Sequence, residues 1–140
     1  MTRSIFAVVA GLLAWMVVAT LLNFGLRAGL AGYTVAEPTL SFTLTMKVAR
    51  LILGALASLA AGAAAGMIAP SKTAPAWLVG VITLAFFVPA HIHLWTKFPV
   101  WYHLTFLGTV LPLVLLGATL TRTRLRTRLR PGELGNKVSA

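Results

Sequence analysis

Long intervals without a single charge constrain this chain more than any other feature. No Asp, Glu, Lys or Arg occurs between Arg3 and Arg27, Arg50 and Lys72, Lys72 and Lys97, or Lys97 and Arg122, which leaves uncharged runs of 23, 21, 24 and 24 residues. A helix needs ~20 mostly apolar residues to cross a hydrocarbon core ~30 Å thick. Each run is long enough, and together they predict four spans at about 4–23, 51–69, 76–95 and 104–120. Composition agrees, with 59% of the 140 residues hydrophobic and 10% charged, against ~45–50% apolar and ~25% charged in soluble domains. The expected fold is an all-α membrane protein: a four-helix transmembrane bundle over residues 1–121, both termini on the same side, then a basic tail over 122–140.

Span one follows Arg3 as the apolar part of a signal peptide would. Signal h-regions are ~7–15 residues long and end in a small-x-small cleavage site. This run is longer and no clear site follows it, which favours a retained anchor. The 24–47 connection begins with turn-prone Gly25, Gly29, Gly32 and Pro38. Thr39 to Met46 then alternates polar and apolar residues, the period of a strand. A lone strand in lipid leaves its backbone groups unsatisfied. The expectation is therefore a helix opening after Pro38 with Thr39 or Ser41 as its cap, which sets Lys47 and Arg50 one turn apart on one side.

Span two carries the most specific signal for helix association. Gly54, Ser58, Gly62 and Gly66 recur every fourth residue, with Ala57, Ala61 and Ala65 alongside. Lipid tails are as apolar as leucine, so helices in a bilayer associate through close backbone approach, which small residues permit. This stripe predicts a central helix, packed against another span of the same chain or against a second copy. Trp77 and Trp95, separated by ~27 Å of helix, fit opposite headgroup belts. Pro89 and Pro112 fall inside spans three and four, where each removes a backbone donor.

The N-terminus, the 70–75 turn and the tail hold eight Lys or Arg, against four in the 24–50 connection and the 96–103 hairpin. The positive-inside rule then puts both termini in the cytoplasm. Without the tail the balance is two against four and the orientation reverses. The tail arginines Arg122, Arg124, Arg126, Arg128 and Arg130 read as an anchor on anionic headgroups, at ~1 kcal/mol per basic residue near the surface. Nucleic-acid binding is disfavoured, because the tail follows a span directly and has no aromatic residue for base stacking.

Few residues offer chemistry. With no cysteine, disulfides, thiol catalysis and thiolate metal sites are excluded. His91, His93 and His103 cluster near the hairpin between spans three and four. On a helix His91 and His93 point to nearly opposite sides, whereas His91 and His103 can meet across the hairpin. With Glu37 they form the candidate ligand or metal set, set against a plain interfacial belt with Trp95, Trp101 and Tyr102. Glu37 is also a candidate partner for Arg50 or Lys47, although a solvated loop charge is the favoured reading. Asn23 reads as interfacial and Trp15 as bundle filler. Small four-helix multidrug exporters resemble the chain in size and span number but work through an acidic residue in the first span, and span one here has none. Intramembrane ionisable groups mark proton and ion paths, and no span core contains one. No cofactor is expected, and no catalytic constellation points to an enzyme.

Three stretches carry a family resemblance: Ala60-Ala61-Gly62 through Gly66-Met67-Ile68-Ala69, Phe98-Pro99-Val100-Trp101-Tyr102-His103-Leu104, and Pro112-Leu113 to Leu116-Gly117-Ala118. In these the chain resembles small, uncharacterised four-span membrane proteins of bacteria, over spans two to four. The resemblance implies a bacterial inner membrane and no established activity. The leading functional expectation is a non-catalytic scaffold, accessory subunit or interaction protein working through Gly54, Ser58, Gly62 and Gly66. Its partners would be a second copy or another membrane protein. The alternative is a small-molecule, metal or haem binding or transport protein with its site at the outer hairpin.

Overall fold

The computed structural model describes residues 2–128. Five helices follow one another: α1 (Thr2–Gly29), α2 (Tyr33–Ala36), α3 (Leu44–Ile68), α4 (Ala74–His93) and α5 (Val100–Arg128). The whole of α1, α3 and α4, and α5 as far as Leu125, are long and apolar enough to cross a membrane. Ile5, Phe6, Leu13, Leu21, Phe86 and Leu104 stand exposed on their outer faces. Over the described residues the chain is all-helical, a multi-pass membrane protein built as a four-helix bundle.

The long helices alternate in direction. Arg3 at the start of α1 donates to the Ile68 carbonyl at the end of α3, and Arg122 on α5 donates to the Lys72 carbonyl in the α3–α4 turn. Both described ends of the chain thus lie beside that turn, on the same side of the bundle. At the opposite, distal end, Tyr33, Ala36, Phe42 and Met46 pack with Phe98 and Tyr102 in one apolar cluster. That cluster joins the α1–α3 connection to the α4–α5 hairpin.

Helix α3 is central, touching α1, α4 and α5. Its small-residue stripe is wholly buried and consumed inside the chain. A Cβ on Gly62 would overlap the Val114 carbonyl, one on Gly66 would press on the Ala118 backbone, and one on Gly54 would meet the Phe106 ring. Gly117 of α5 returns the contact against Leu59 and Ala63. Ser58 satisfies itself by donating to the Gly54 carbonyl at 2.8 Å. Of the two partners open at the sequence level, another span of the same chain is the one observed.

Several boundaries differ from the sequence expectation. Helix α1 runs on through Gly25 to Gly29 instead of ending near residue 23. A Cβ on either glycine would meet nothing within 4 Å, so neither is needed for close approach, and in lipid the helix is the cheapest way to pair backbone groups. The turn comes later, at Gly32, where φ is 77° and the left-handed backbone suits a residue without a Cβ. Neither Thr39 nor Ser41 caps α3. Thr43 does, accepting from the Met46 N–H at 3.3 Å, while the Thr39 and Ser41 hydroxyls bond each other at 2.7 Å. Helices α4 and α5 continue through Pro89 and Pro112. Helix α5 also carries the start of the basic tail, through Arg128, without a break.

Candidate ligand cavity

Where α1 passes the connection to α3, three helices bring polar side chains into the distal half of the bundle. The last turns of α1 supply Asn23 and Arg27. The short α2, folded back by the Gly32 turn, supplies Tyr33 and, just after it, Glu37. The second turn of α3 supplies Arg50. These five groups form one directional chain. Arg50 Nη1 donates to Tyr33 Oη at 2.6 Å, Tyr33 Oη donates to Asn23 Oδ1 at 3.0 Å, and Asn23 Nδ2 donates to Glu37 Oε1 at 3.3 Å. Arg27 Nε closes it from the other side, donating to Glu37 Oε2 at 2.8 Å.

One carboxylate therefore terminates a network that holds two guanidinium groups. The hydrogen bond from Arg27 pulls the Glu37 carboxyl below its ordinary pKa, opposed by partial burial, with Asn23 and the two arginine charges adding to the lowering. Arg50 has no carboxylate in contact: among the described residues the ion pair is Arg27–Glu37. Its guanidinium lies over the Phe42 ring, 4.8 Å from the centroid, and its buried Nε has no hydrogen-bond partner.

Four members of this network, Asn23, Arg27, Glu37 and Arg50, line a cavity of about 420 Å³, walled elsewhere by Trp15, Phe87, Tyr102 and Phe106. A second cavity, about 470 Å³ and almost entirely apolar, lies between α1 and α4 along Leu12, Met16, Ile82 and Phe86. Trp15, Ala19, Thr20 and Phe87 line both, so the two volumes are adjacent. Trp15 is the post between them, its ring tilted against Phe87 at 4.8 Å and its Nε1 donating to Ser58 Oγ at 3.3 Å. Thr83 lines the groove, and its hydroxyl is buried without a partner.

The histidines stand beside this cavity, not in it. His91 and His103 do meet across the α4–α5 hairpin, Nδ1 to Nδ1 at 2.8 Å, one ring donating and the other accepting. Both are buried, 7% and 0% exposed. His103 stacks on Trp95, and His91 stacks on Phe106 and Tyr102. His93 is exposed and turned away. The two Nδ1 atoms are engaged with each other and the buried His103 Nε2 has no partner, so the pair supplies at most two ligands where a zinc site takes three or four. No group of three or more His, Cys, Asp or Glu that could hold a metal ion occurs among the described residues. Phe87, Tyr102 and Phe106 separate the pair from the polar cavity, and Glu37 is committed to Arg27.

Several sequence expectations change here. Glu37 pairs with Arg27, not with Arg50 or Lys47, and it is not a free loop charge. Asn23 and Trp15 both line the cavity, and Trp15 also packs against the buried core cluster, as bundle filler would. Tyr33, fully buried at the centre of the network, carried no distinguishing sequence signal. In the tail, Arg122 reaches the Lys72 carbonyl, Arg124 is exposed on α5, Arg126 and Arg128 lie on the α5 backbone, and Arg130 falls outside the described residues. No protein-family model matches the chain, and neither curated proteins nor solved structures provide a match.

Proposed function

We propose that this is a non-catalytic protein of a bacterial inner membrane, both termini in the cytoplasm, that binds a small amphipathic molecule in the cavity at its outer end. The observation that carries this reading is the adjacency of the two cavities: a partly polar chamber lined by Asn23, Arg27, Glu37 and Arg50 adjoins an apolar groove, with Trp15 lining both. Ligand sites in proteins are concave, mostly apolar, and oriented by a few placed polar groups. Helix bundles build such sites between helices. A scaffold working through Gly54, Ser58, Gly62 and Gly66 is less well supported, because that stripe already meets α5 and Trp15 within the chain. Anchoring of the basic tail on anionic headgroups and association with a second copy are compatible with this reading.

Ala19 lines both volumes, and a phenylalanine there would fill their junction. The test is mass spectrometry of the small-molecule content of wild-type and Ala19→Phe protein purified from native membrane, with thermal melts as a folding control. Wild type should carry a bound species in near-stoichiometric amount that the folded variant lacks. Identical content in the two would refute the site.

A further inference from the structure

The chemistry of the chamber selects among amphipathic ligands. We propose, resting on the ligand-binding reading above, that the cavity takes a single-chain anionic lipid, with its headgroup oxyanion against Arg50 and its hydrocarbon tail in the groove between α1 and α4.

Charge is the first argument. Arg27 and Arg50 face the chamber with Glu37 as the one acid, and Glu37 is spent on Arg27 and Asn23. Arg50 is left with neutral partners, a tyrosine hydroxyl and a phenylalanine face, and with a buried Nε that donates to nothing. It sits six residues into α3, ~9 Å along the helix axis. A half-buried cation with no carboxylate in contact is stabilised by a counter-charge, and a carboxylate or phosphate supplies one. A guanidinium suits these anions especially, because its planar fork matches two oxygens at once.

Shape is the second argument. From Leu12 in the groove to Arg27 in the chamber, α1 covers ~22 Å. One leaflet is half of a ~30 Å hydrocarbon core, so this length holds one lipid chain and its headgroup. Met16, Ile82 and Phe86, which line the groove, are also exposed on the outside of the bundle. The groove therefore opens sideways to the bilayer, and a tail can enter without its head leaving the distal surface. Its apolar walls exclude a second charged group, which argues for one head and one tail.

Trp15 provides the reporter, because bromine quenches indole fluorescence only on close approach. The full chain in neutral detergent, carrying Trp77→Phe, Trp95→Phe and Trp101→Phe, would be titrated with dibromostearate and separately with dibromostearyl alcohol. Wild-type protein corrected with Trp15→Phe serves if the triple variant does not fold. Saturable quenching by the carboxylate is expected, with the alcohol at least tenfold weaker. Arg50→Gln should reduce affinity for the carboxylate ~10- to 100-fold, the scale of a lost charge-assisted hydrogen bond, and leave the alcohol unchanged. Excess acetate should displace nothing, and displacement by acetate would overturn the requirement for a tail. Equal affinity for carboxylate and alcohol, with Arg50→Gln silent, would overturn the anionic assignment while leaving the cavity as a ligand site. Absence of saturable quenching by either probe would overturn both.

Discussion

Two contacts of the bundle are made in opposite ways. Between α3 and α5 the backbones touch: Gly62, Gly66 and Gly117 each sit where a Cβ would strike the facing main chain. Between α1 and α4 the helices approach closely where Gly11 faces Val79, but farther along large side chains, Trp15 and Phe87, make the contact and a groove of about 470 Å³ remains. Lipid supplies little hydrophobic drive between helices, so close fit must do the holding. The α3–α5 contact provides it and leaves the α1–α4 side free to stay open. On the proposed reading, stability and binding fall to different helix pairs around one central helix.

Breaking the closed side should have the largest effect. Gly62→Leu has no room without moving α5, so its cost should exceed the ~1–3 kcal/mol usual for an overpacked core. Melts followed by circular dichroism in detergent should show a large fall in the midpoint or no folded protein. On the open side, Ala19→Phe fills space instead of forcing backbones apart, so it should remove ligand with only a small change in melting.

A smaller effect tests the polar chamber by pH. The Glu37 carboxyl has its pKa lowered in the folded state, chiefly by Arg27. Its contribution is therefore complete above the ordinary carboxylate range and is lost as pH falls through the lowered value. Glu37 is partly and Arg27 largely accessible, so the contribution should be at most about 1 kcal/mol. Wild type should lose that much more stability than Glu37→Gln on acidification from neutral pH, and parallel melting curves would show that the pair contributes nothing. The smallest effect belongs to Gly25→Ala. With a helical backbone and open space around it, this change should be neutral or stabilising by up to ~1 kcal/mol. A clear loss of stability would restore the turn that the glycine pattern favours.

The four spans and their order were legible because absent charges are a physical record of the bilayer. The meeting of His91 with His103, and not with His93, followed from helical periodicity and the hairpin. The chamber was not legible, for identifiable reasons. Gly25 and Gly29 read as turn residues in a local window, yet in lipid the backbone has no alternative partner and stays helical. That extension carries Arg27 past the point where the span was expected to end. The short α2 then depends on the left-handed turn at Gly32, which points Tyr33 and Glu37 back at Asn23 and Arg27. Each contact spans ten to fourteen residues of sequence, beyond the reach of a helical or strand period. Trp15 read as filler, and it does pack on the core, but its bond to Ser58, 43 residues away on another span, left no local signal.

The central claim is that the open α1–α4 side holds the lipid and the closed α3–α5 side holds the bundle. The most direct measurement is a structure of the protein with dibromostearate, locating bromine by its anomalous scattering. The account predicts bromine between α1 and α4 beside Trp15 and Phe87, with the carboxylate at Arg50. Bromine found only on the outer surface, with the groove closed around Trp15, would contradict it.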